Sequence, residues 1–422
     1  MAAFRIAAAS LLCAFAALPP IPAQQLGITP YHASGMYELG EKAGWTLTLP
    51  QGAAGSAGQY TYTIRKDNFD VIQKGTLDLS SGRAAIEASV REPAMLYVEV
   101  AGGGTTIHLG AGIAPWKMRP SAPPPADFDE FWDGKLKALS QVPIDPVITP
   151  ARTGKPGVEL YTVKLQSLGS QVHGYLAKPS RPGKFPALVI YQWAGVYALQ
   201  PEWVTGHAAD GWLTLDVDSH DLPPSAATGV SSSYQAIGNT SRETSYFLNM
   251  YLRDVRAIDY IVSRPDWDGK TIAITGTSMG GQQSLAVAGL SKRVTAVLVC
   301  EPAGADSNGA LHGRKAGYPF WPSDNLQAMR TGLYFDTVNF APRIQAPVLA
   351  AMGFIDTVAP PTGIWIALNQ VPGARESVPL VDADHNNITP DKIGLYTSRS
   401  AEVLNLILHG GTFKPAKAPG DR

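Results

Sequence analysis

The chain reads Lys270-Thr271-Ile272-Ala273-Ile274-Thr275-Gly276-Thr277-Ser278-Met279-Gly280-Gly281, an apolar run followed by a turn of small residues. We expect a strand up to Gly276, a sharp turn at Ser278 and a helix opened by Gly280. The residues two before and two after the serine must be small because the chain passes close to itself there, and both are glycine. The stretch therefore predicts a nucleophile elbow, with Ser278 at a helix amino terminus where free N–H groups stabilise an oxyanion.

A serine hydroxyl becomes a nucleophile when a base removes its proton and a carboxylate orients that base. On folds that use this elbow, the acid follows the serine along the chain and the histidine comes last. Of the later histidines, His385 follows the apolar run 378–381, where this order predicts the base. His409 is better explained as a helix-end residue, and His312 precedes the candidate acid.

The candidate acid is Asp356. It follows the apolar run 348–352, at the strand end where open α/β sheets collect their functional groups. Asp382 and Asp384 are nearer to His385 along the chain and stay as alternatives, because nearness in a loop is weak evidence of pairing.

Backbone N–H groups are expected to form the oxyanion hole. We assign them to Met279, directly after the nucleophile, and to Ala194, in the loop after the apolar run 187–193. The sequence has no His-Glu-x-x-His motif, no cysteine–histidine cluster and no phosphate-cradling glycine pattern, so neither a metal nor another cofactor is predicted. We expect catalysis by side chains and water alone.

Strands alternate with helices beyond Thr153, which is typical of an α/β sheet. Two leading strands, 160–165 and 172–177, are expected to pair antiparallel. Short apolar runs suit parallel strands buried on both faces: 187–193, 213–217, 272–275, 296–299, 348–352 and 378–381. Helices are expected at 203–210, 246–263, 278–290, 362–370 and near 400–408. Together with the elbow, this pattern predicts an α/β-hydrolase fold, in which helices flank a mostly parallel sheet of about eight strands.

The first part of the chain has a different pattern. Alternating residues at 45–49, 60–64, 84–88 and 96–100, separated by Gly, Ser and Asp, predict a small antiparallel β-sandwich of Ig-like type over residues 24–114. We interpret this domain as a spacer or assembly module. Its aromatic residues Tyr60 and Tyr62 are expected to contribute packing rather than a sugar-binding strip.

Prolines separate this domain from the next one. The proline-rich stretch 115–126 predicts a semi-rigid extended linker. A helix from Asp127 then opens the catalytic domain, expected over residues 127–412, and residues 413–422 form a tail.

The amino terminus carries a targeting signal. Residues 1–23 combine an early arginine, an apolar stretch and a small residue, Ala23, at the end, which predicts a signal peptide cleaved after Ala23. We expect a secreted protein, periplasmic or extracellular, with no membrane partner after cleavage. Of the two cysteines, Cys13 lies in the signal, so Cys300 alone remains and the mature chain has no internal disulfide.

Composition narrows the classes of function. With 45% hydrophobic and 16% charged residues, the chain has enough apolar material for a sizeable core. A formal net charge of −1 gives no field that attracts phosphate backbones, so nucleic acid is not an expected partner.

Several segments resemble the acetyl xylan esterase and cephalosporin-C deacetylase family of α/β-hydrolases, carbohydrate esterase family 7. The resemblance covers about residues 127–408 and is carried by Asp127-Phe128-Asp129-Glu130-Phe131-Trp132, Asp254-Val255-Arg256-Ala257, Tyr334-Phe335-Asp336-Thr337-Val338-Asn339-Phe340-Ala341 and Gly353-Phe354-Ile355-Asp356-Thr357-Val358-Ala359-Pro360-Pro361. It implies Ser278, Asp356 and His385 as a catalytic triad. It also implies removal of small acyl groups, chiefly acetyl, from sugar hydroxyls such as those of xylan, and assembly into a homo-oligomer.

The chain departs from the family's pattern around the triad. Asp218-Ser219-His220-Asp221 stands where the family usually carries an Arg-Gly-Gln element, and Met279 stands in place of glutamine. Asn386 follows His385 in place of glutamate, and Ala194 stands in place of tyrosine. The smaller residue at Ala194 is expected to admit a larger acyl group.

The sequence therefore predicts a secreted serine esterase that removes acetyl groups from carbohydrates through an acyl-enzyme. Two other functions stay open. A broader ester hydrolase or a peptidase could use the same triad, although roughly 90 residues before the linker are too few for a propeller-bearing peptidase. The missing Arg-Gly-Gln element also leaves room for a non-catalytic carbohydrate-binding protein.

Overall fold

The computed structural model describes residues 26–50 and 59–416. The predicted signal peptide, residues 1–23, lies outside the described residues, as does most of the predicted tail, so both stay predictions. Among the described helices, none has the length and apolar character needed to cross a bilayer.

The amino-terminal part forms two small sheets around a core of its own. Its strands are β1 (Gly27–Pro30), β2 (Met36–Tyr37), β3 (Ala43–Thr48), β4 (Tyr60–Lys66), β5 (Asp70–Leu77), β6 (Arg83–Ala88), β7 (Ala94–Gly102) and β8 (Thr105–Ile113). The sheet orders are β1-β3-β6 and β2-β8-β7-β4-β5, and every pair is antiparallel except β2 with β8. Trp45, Ile64 and Val98 belong to the shared core between the sheets. Tyr60 is buried and Tyr62 is half-buried, as expected for packing residues.

The predicted linker contacts the second part of the chain, which follows it in sequence, along some of its length. It begins as a short 3₁₀ helix, Pro115–Lys117, and the Asn369 amide donates to the Pro115 carbonyl oxygen at 2.9 Å. Further along, the N–H and the hydroxyl of Ser121 both donate to the Asp306 carboxylate. The two parts are therefore joined by contacts as well as by the chain.

A nine-stranded sheet forms the centre of the second part of the chain, beyond the predicted linker. Its strands are β9 (Val147–Ala151), β10 (Val158–Ser167), β11 (Ser170–Pro179), β12 (Phe185–Tyr191), β13 (Leu213–Asp218), β14 (Trp267–Thr277), β15 (Ala296–Cys300), β16 (Val348–Gly353) and β17 (Arg375–Leu380). The order is β17-β16-β15-β14-β12-β13-β11-β10-β9, parallel from β17 to β13 and antiparallel beyond. The predicted fold class is confirmed. The strand beyond the expected eight is β9, an exposed edge strand whose Pro150 is a signal against strand structure.

Helices pack on both faces of this sheet. They are α1 (Phe128–Ser140), α2 (Pro201–Asp210), α3 (Tyr246–Ser263), α4 (Met279–Leu290), α5 (Leu326–Gly332), α6 (Thr337–Phe340), α7 (Pro361–Gln370) and α8 (Pro390–Leu408). The last helix begins at Pro390, well before the predicted start near Ser400. Polar residues in its first turns hide the apolar periodicity, whereas proline at the first helical position is the usable signal.

The amino-terminal part with strands β1 to β8, which we call the β-domain, packs against the carboxyl end of β16. A Cβ atom on Gly110 of β8 would lie 2.5 Å from the Cβ of Phe354, so only glycine allows this approach. On the same side, the Thr362 hydroxyl of α7 donates to the buried Asp67 carboxylate at 3.0 Å. The β-domain thus supports the segment between β16 and α7, which carries Asp356.

Candidate active site

Ser278 lies between β14 and α4 in a strained turn of the predicted kind. Its φ of 55° and ψ of −120° are angles that residues with a side chain rarely adopt. A Cβ on Gly276 would come within 2.3 Å of the Gly280 carbonyl carbon, and a Cβ on Gly280 within 2.1 Å of the Tyr191 carbonyl oxygen. Both positions therefore require glycine, and the tight turn leaves the serine at the carboxyl end of the sheet.

The structure brings the three predicted side chains together. Nε2 of His385 lies 2.8 Å from Oγ of Ser278, and Nδ1 lies 2.7 Å from Oδ2 of Asp356. Because an ionised carboxylate only accepts hydrogen bonds, Nδ1 carries the hydrogen of the neutral ring. Nε2 is then the nitrogen that can accept the serine proton.

Asp356 is itself held in place by its own loop. Its other oxygen, Oδ1, accepts the N–H groups of Val358 at 2.7 Å and Ala359 at 2.8 Å. Burial alone lowers the pKa of His385, but the hydrogen bond and the charge of Asp356 outweigh burial, so the net pKa is raised. The imidazole is therefore a stronger base than an ordinary histidine.

The two alternative acids have other partners. Asp382 pairs with Lys392 at 2.7 Å on the surface. Asp384 accepts two N–H groups of its own loop at 2.8 Å. Because neither bonds the imidazole, the geometry favours Asp356 as the partner of His385.

The two predicted oxyanion donors lie next to the nucleophile. Met279 is the first residue of α4, so its N–H has no acceptor within the helix. Ala194 lines the same pocket as Ser278. That these N–H groups bind an oxyanion stays a prediction.

Side chains that no motif marks hold this wall of the pocket. The Gly195 N–H donates to the Tyr234 hydroxyl at 3.2 Å, and the Gly195 carbonyl oxygen lies 2.9 Å from Nε2 of His220. The hydroxyls of Tyr234 and Tyr318 lie 3.3 Å and 3.1 Å from the sulfur of Met279. These contacts fix both the loop after β12 and the residue that follows the nucleophile.

His220 is neutral in this setting. Its Nε2 faces a carbonyl oxygen, which only accepts, so Nε2 carries the hydrogen and Nδ1 accepts from the Tyr246 hydroxyl at 3.0 Å. Burial lowers the pKa of His220 to about 4. His220, which lies where the family carries its Arg-Gly-Gln element, is therefore uncharged and links Gly195 to Tyr246 by hydrogen bonds.

Ser219 belongs to a second hydrogen-bond network behind this loop. Its N–H donates to the Gln192 side chain at 3.0 Å, and its hydroxyl donates to the Gln283 side chain at 2.8 Å. Gln283 donates in turn to the Gln192 carbonyl oxygen at 2.8 Å, and Arg253 donates to the Ser219 carbonyl oxygen. The network ties the ends of β12 and β13 to α4.

A further carboxyl group, Glu301, lies beside the histidine and was not among the predicted site residues. It directly follows β15, is fully buried and places Oε2 3.9 Å from Nδ1 of His385. Burial, followed by the nearby charge of Asp356, raises the pKa of Glu301 to about 8. The rule that selects Asp356, an acid near the carboxyl end of a buried strand, also applies to Glu301, so the sequence carried a signal for it.

The same acids form a candidate metal-binding group. Ligand atoms of Glu301, Asp356 and His385 lie within 4.8 Å of one another. A metal would have to displace one of the two contacts that the imidazole makes with Ser278 and Asp356. This donor set therefore fits nucleophilic catalysis better than metal binding.

Ser278 and His385 open into a pocket of about 450 Å³. At its rim, Trp193 is 42% exposed and Ile388 is 54% exposed. Val358 also lines the pocket, so much of its surface is apolar. A small acyl group and part of a larger leaving group fit a pocket of this size.

Comparisons with known proteins identify the family. The family model for acetyl xylan esterase (AXE1) matches residues 116–392. The acetyl esterase Axe7A of Xylanibacter ruminicola is 32% identical over 394 residues, which cover 87% of this chain and 89% of that protein.

Two solved structures show the same fold. The acetyl xylan esterase from Paenibacillus sp. R4 superposes with a TM-score of 0.62 at 23% identity, over 69% of this chain and 98% of that one. Acetyl xylan esterase 1 from Thermoanaerobacterium sp. JW/SL YS485 superposes with a TM-score of 0.59 at 20% identity, over 69% of this chain and 96% of that one. With the match of the family model, these findings confirm the resemblance seen in the motifs: the chain belongs to the acetyl xylan esterase family of α/β-hydrolases and is a carboxylic-ester hydrolase.

Proposed function

We propose that this protein is a secreted serine esterase that removes acetyl groups from carbohydrate hydroxyls through an acyl-enzyme on Ser278. The observation that carries the proposal is the 2.8 Å contact between His385 Nε2 and Ser278 Oγ, with Asp356 on the other side of the imidazole. Acyl transfer requires a nucleophile, a base and an orienting carboxylate in this arrangement. Family membership supports an ester rather than an amide as the bond that is cleaved.

In the first half-reaction, Ser278 Oγ attacks the acetyl carbonyl carbon while its proton passes to Nε2 of His385. The N–H groups of Met279 and Ala194 stabilise the oxyanion of the tetrahedral intermediate. When the bond to the sugar oxygen breaks, the imidazolium gives its proton to that oxygen and the sugar leaves as an alcohol. The acetyl group stays on Ser278 as an ester.

In the second half-reaction, His385 removes a proton from water, and the water oxygen attacks the acetyl-serine. Collapse of the second intermediate breaks the bond to Ser278 Oγ. The serine oxygen regains a proton from the imidazolium, and acetate is released. The cycle consumes one ester and one water, and its atoms balance without a cofactor.

A carbohydrate as the leaving group of the ester is supported by the aromatic rim of the pocket. The Trp193 ring stacks on Tyr197 with centroids 5.1 Å apart and contacts Trp203 at 5.0 Å. The same indole is 42% exposed and lines the pocket that holds Ser278. The apolar face of a sugar ring packs on an exposed aromatic ring while its hydroxyls stay in water. We therefore place the acetylated sugar against Trp193.

The direct test compares the wild type with Ser278→Ala on p-nitrophenyl acetate and on acetylated xylo-oligosaccharides. We expect the wild type to hydrolyse both, and the variant to lose at least about 10³-fold in kcat. Intact-mass spectrometry of the wild type during turnover should detect a covalent acetyl adduct. Equal rates in the two proteins would contradict the proposal.

Trp193→Ala tests the carbohydrate leaving group separately. We expect kcat/KM for the oligosaccharide, relative to p-nitrophenyl acetate, to fall about 5-fold, because an aromatic stacking contact contributes about 1 kcal/mol. Phe69→Ala is a matched control, since Phe69 is an equally exposed aromatic residue in the β-domain, at 47%. An unchanged ratio in Trp193→Ala would favour a general esterase over a carbohydrate esterase.

Export is supported by the sequence of residues 1–23. In a host that recognises the signal, we expect the protein to leave the cytoplasm and its mature chain to begin at Gln24. Amino-terminal mass spectrometry of the exported fraction measures this. Cell-associated protein that keeps Met1 throughout would contradict export.

A further inference from the structure

Glu301 is a buried carboxyl group that the acyl-transfer cycle above leaves without a role. It follows β15, which lies in the sheet between β14 and β16, the strands that lead to Ser278 and Asp356. Its relative exposure is 0%, and neither of its side-chain oxygens has a hydrogen-bond partner among the described residues. A carboxyl group in this state costs free energy of folding, so its presence calls for a physical reason.

The backbone at Glu301 is strained as well. Its φ is 46°, in the left-handed region that residues with a side chain rarely adopt. Ser278, at the end of the neighbouring strand, has a φ of 55°. Strained backbone at two adjacent strand ends is typical of a functional site.

The side chain of Glu301 points at the imidazole. Its Oε2 lies 3.9 Å from Nδ1 of His385, the nitrogen that donates to Asp356. A Cβ on Gly353 would lie 2.7 Å from Oε1, so the glycine that ends β16 makes room for the carboxyl group. Asp384, from the loop after β17, also acts on the pKa of Glu301, and Glu301 in turn helps to raise the pKa of its buried neighbour Cys300.

We propose that Glu301 is a positioning residue that acts on His385 together with Asp356, as a second acid of the site. The proposal rests on the proposed roles of Ser278 and His385. While Glu301 is neutral, Asp356 is the charged partner of the imidazole. Once Glu301 releases its proton to solvent, its carboxylate adds a second negative charge on the Nδ1 side and favours the imidazolium that forms during acyl transfer.

The electrostatics give this effect a direction. Burial and the charge of Asp356 raise the pKa of Glu301 to about 8, and a positive charge on His385 lowers it. Glu301 therefore ionises most readily when the imidazole is protonated, so the two groups titrate as a coupled pair. Neutralising Asp356 removes the repulsion between the carboxylates, and Glu301 then ionises at a lower pH and can replace the lost charge.

The first experiment compares pH profiles of kcat/KM for the wild type and Glu301→Gln on p-nitrophenyl acetate, with the Ser278→Ala rate subtracted. We expect the wild type to rise through the pKa of His385 and again near pH 8. The variant should lack the second rise, so the ratio of wild type to variant should grow by about 3- to 10-fold between about pH 7 and 9.5. Profiles of the same shape would overturn the proposal.

The second experiment measures coupling between the two acids. Asp356→Asn should keep a residual rate that increases with pH, because Glu301 supplies the carboxylate. The double variant with Glu301→Gln should be at least about 10-fold slower than Asp356→Asn at alkaline pH, a larger factor than Glu301→Gln produces alone. Equal factors in the two backgrounds would mean that Glu301 does not act through His385.

Asp254→Asn is the matched control. Asp254 is also fully buried and has a pKa raised by burial, and neither of its oxygens has a hydrogen-bond partner in the described part of the chain, but it lies on α3. Asp254→Asn should keep the shape of the wild-type pH profile of kcat/KM. This result would show that the effect of Glu301→Gln comes from the position of Glu301 and not from the loss of a buried carboxyl group. If Glu301→Gln folds poorly, Glu301→Met has a similar volume and the same expected profile. If the wild type is active, Ser278→Ala is inactive, and the Glu301→Gln profile superimposes on that of the wild type, only the role of Glu301 is contradicted. An active Ser278→Ala would contradict the proposed function itself.

Discussion

The pocket that contains Ser278 has two walls, which are assembled in different ways. We call them the triad wall, with Ser278, Asp356 and His385, and the oxyanion wall, with Met279, Ala194, Tyr234 and Tyr318. On the triad wall, Ser278, Asp356 and His385 each follow a separate parallel strand, and the order of strands in the sheet places them together. On the oxyanion wall, Tyr234 and Tyr318 meet through a 2.9 Å contact between hydroxyls that are 84 residues apart in the chain. The first wall depends on local motifs and sheet topology, and the second depends on side chains from distant loops.

This difference matches most of the positions at which the chain departs from its family's pattern, and Asn386, directly after His385, is the exception. Ala194, Met279, Ser219 and His220 all belong to the oxyanion wall or to the networks behind it. A wall held by several mutually bonded side chains can change its members together and keep the backbone in place. The three side chains Ser278, Asp356 and His385 have no such freedom, because each must meet a partner within hydrogen-bond distance.

The largest expected effect is on the triad wall. His385→Ala should lower kcat for p-nitrophenyl acetate by about 10⁴-fold, with KM changed less than about 3-fold, because the variant loses the base but keeps the pocket. His409→Ala is the control, since His409 lies at the exposed end of α8, where its ring bonds the Asn405 carbonyl oxygen. A loss of less than about 10-fold in His385→Ala would remove the distinction between the walls.

The next effect concerns the oxyanion wall in acid. The pKa of His220 falls from an ordinary 6.5 to about 4 on folding, so the unfolded chain binds more protons between these values. The stabilisation that neutral His220 contributes is therefore fully present above about pH 6.5 and is lost as pH falls towards 4. The free energy of unfolding changes by about 3 kcal/mol at most through this group. Urea unfolding of the wild type and His220→Gln from about pH 4 to 7 measures it.

The difference in free energy of unfolding between the wild type and His220→Gln separates the contribution of His220 from that of other titratable groups. Asp218, whose N–H partners include His220 itself, has a pKa raised to about 6 by burial and contributes with the opposite sign. That contribution is present in both proteins. We expect the advantage of the wild type to shrink as pH falls, and a difference that stays constant with pH would show that His220 is not held neutral by the fold.

The fold was predictable where burial repeats along the chain. The parallel strands around Ile274, Val299 and Ala350 are buried on both faces and read as unbroken apolar runs. In contrast, β8 contains Gly110 and Gly112, which by themselves favour a turn. Gly110 is glycine because Phe354 of the other domain approaches it, a contact that no local pattern contains.

The site divides along the same line. Ser278, Asp356 and His385 were predictable because each follows a recognisable strand, and the structure places them in contact. Tyr234 and His220 were not, because their roles arise from contacts with Gly195 that only the folded chain creates. Sequence patterns thus indicate the groups that are proposed to react, and tertiary contacts decide how the groups around them are held.

Removal of one hydroxyl tests the strength of the oxyanion wall. Tyr234→Phe deletes the acceptor of the Gly195 N–H and a contact to the Met279 sulfur, so the loop that carries Ala194 should become less well positioned. We expect kcat to fall by about 10-fold with little change in KM, equivalent to about 1.4 kcal/mol. Tyr161→Phe, which only loses a bond to Glu159, should behave as the wild type. Unchanged kcat in Tyr234→Phe would mean that the wall is held by backbone packing alone.

The smallest expected effect is on acyl specificity. Ala194 stands where the family carries tyrosine, and the pocket beside it is apolar, with Val358 and Ile388 in its lining. We expect the wild type to hydrolyse p-nitrophenyl butyrate with a kcat/KM within about 5-fold of acetate, since two methylenes find apolar contacts there. Ala194→Tyr should fill this space and lower the butyrate-to-acetate ratio by about 5-fold, or about 1 kcal/mol. If the ratio stays the same, the acyl group does not lie against Ala194, and the oxyanion wall positions the reaction without selecting its substrate.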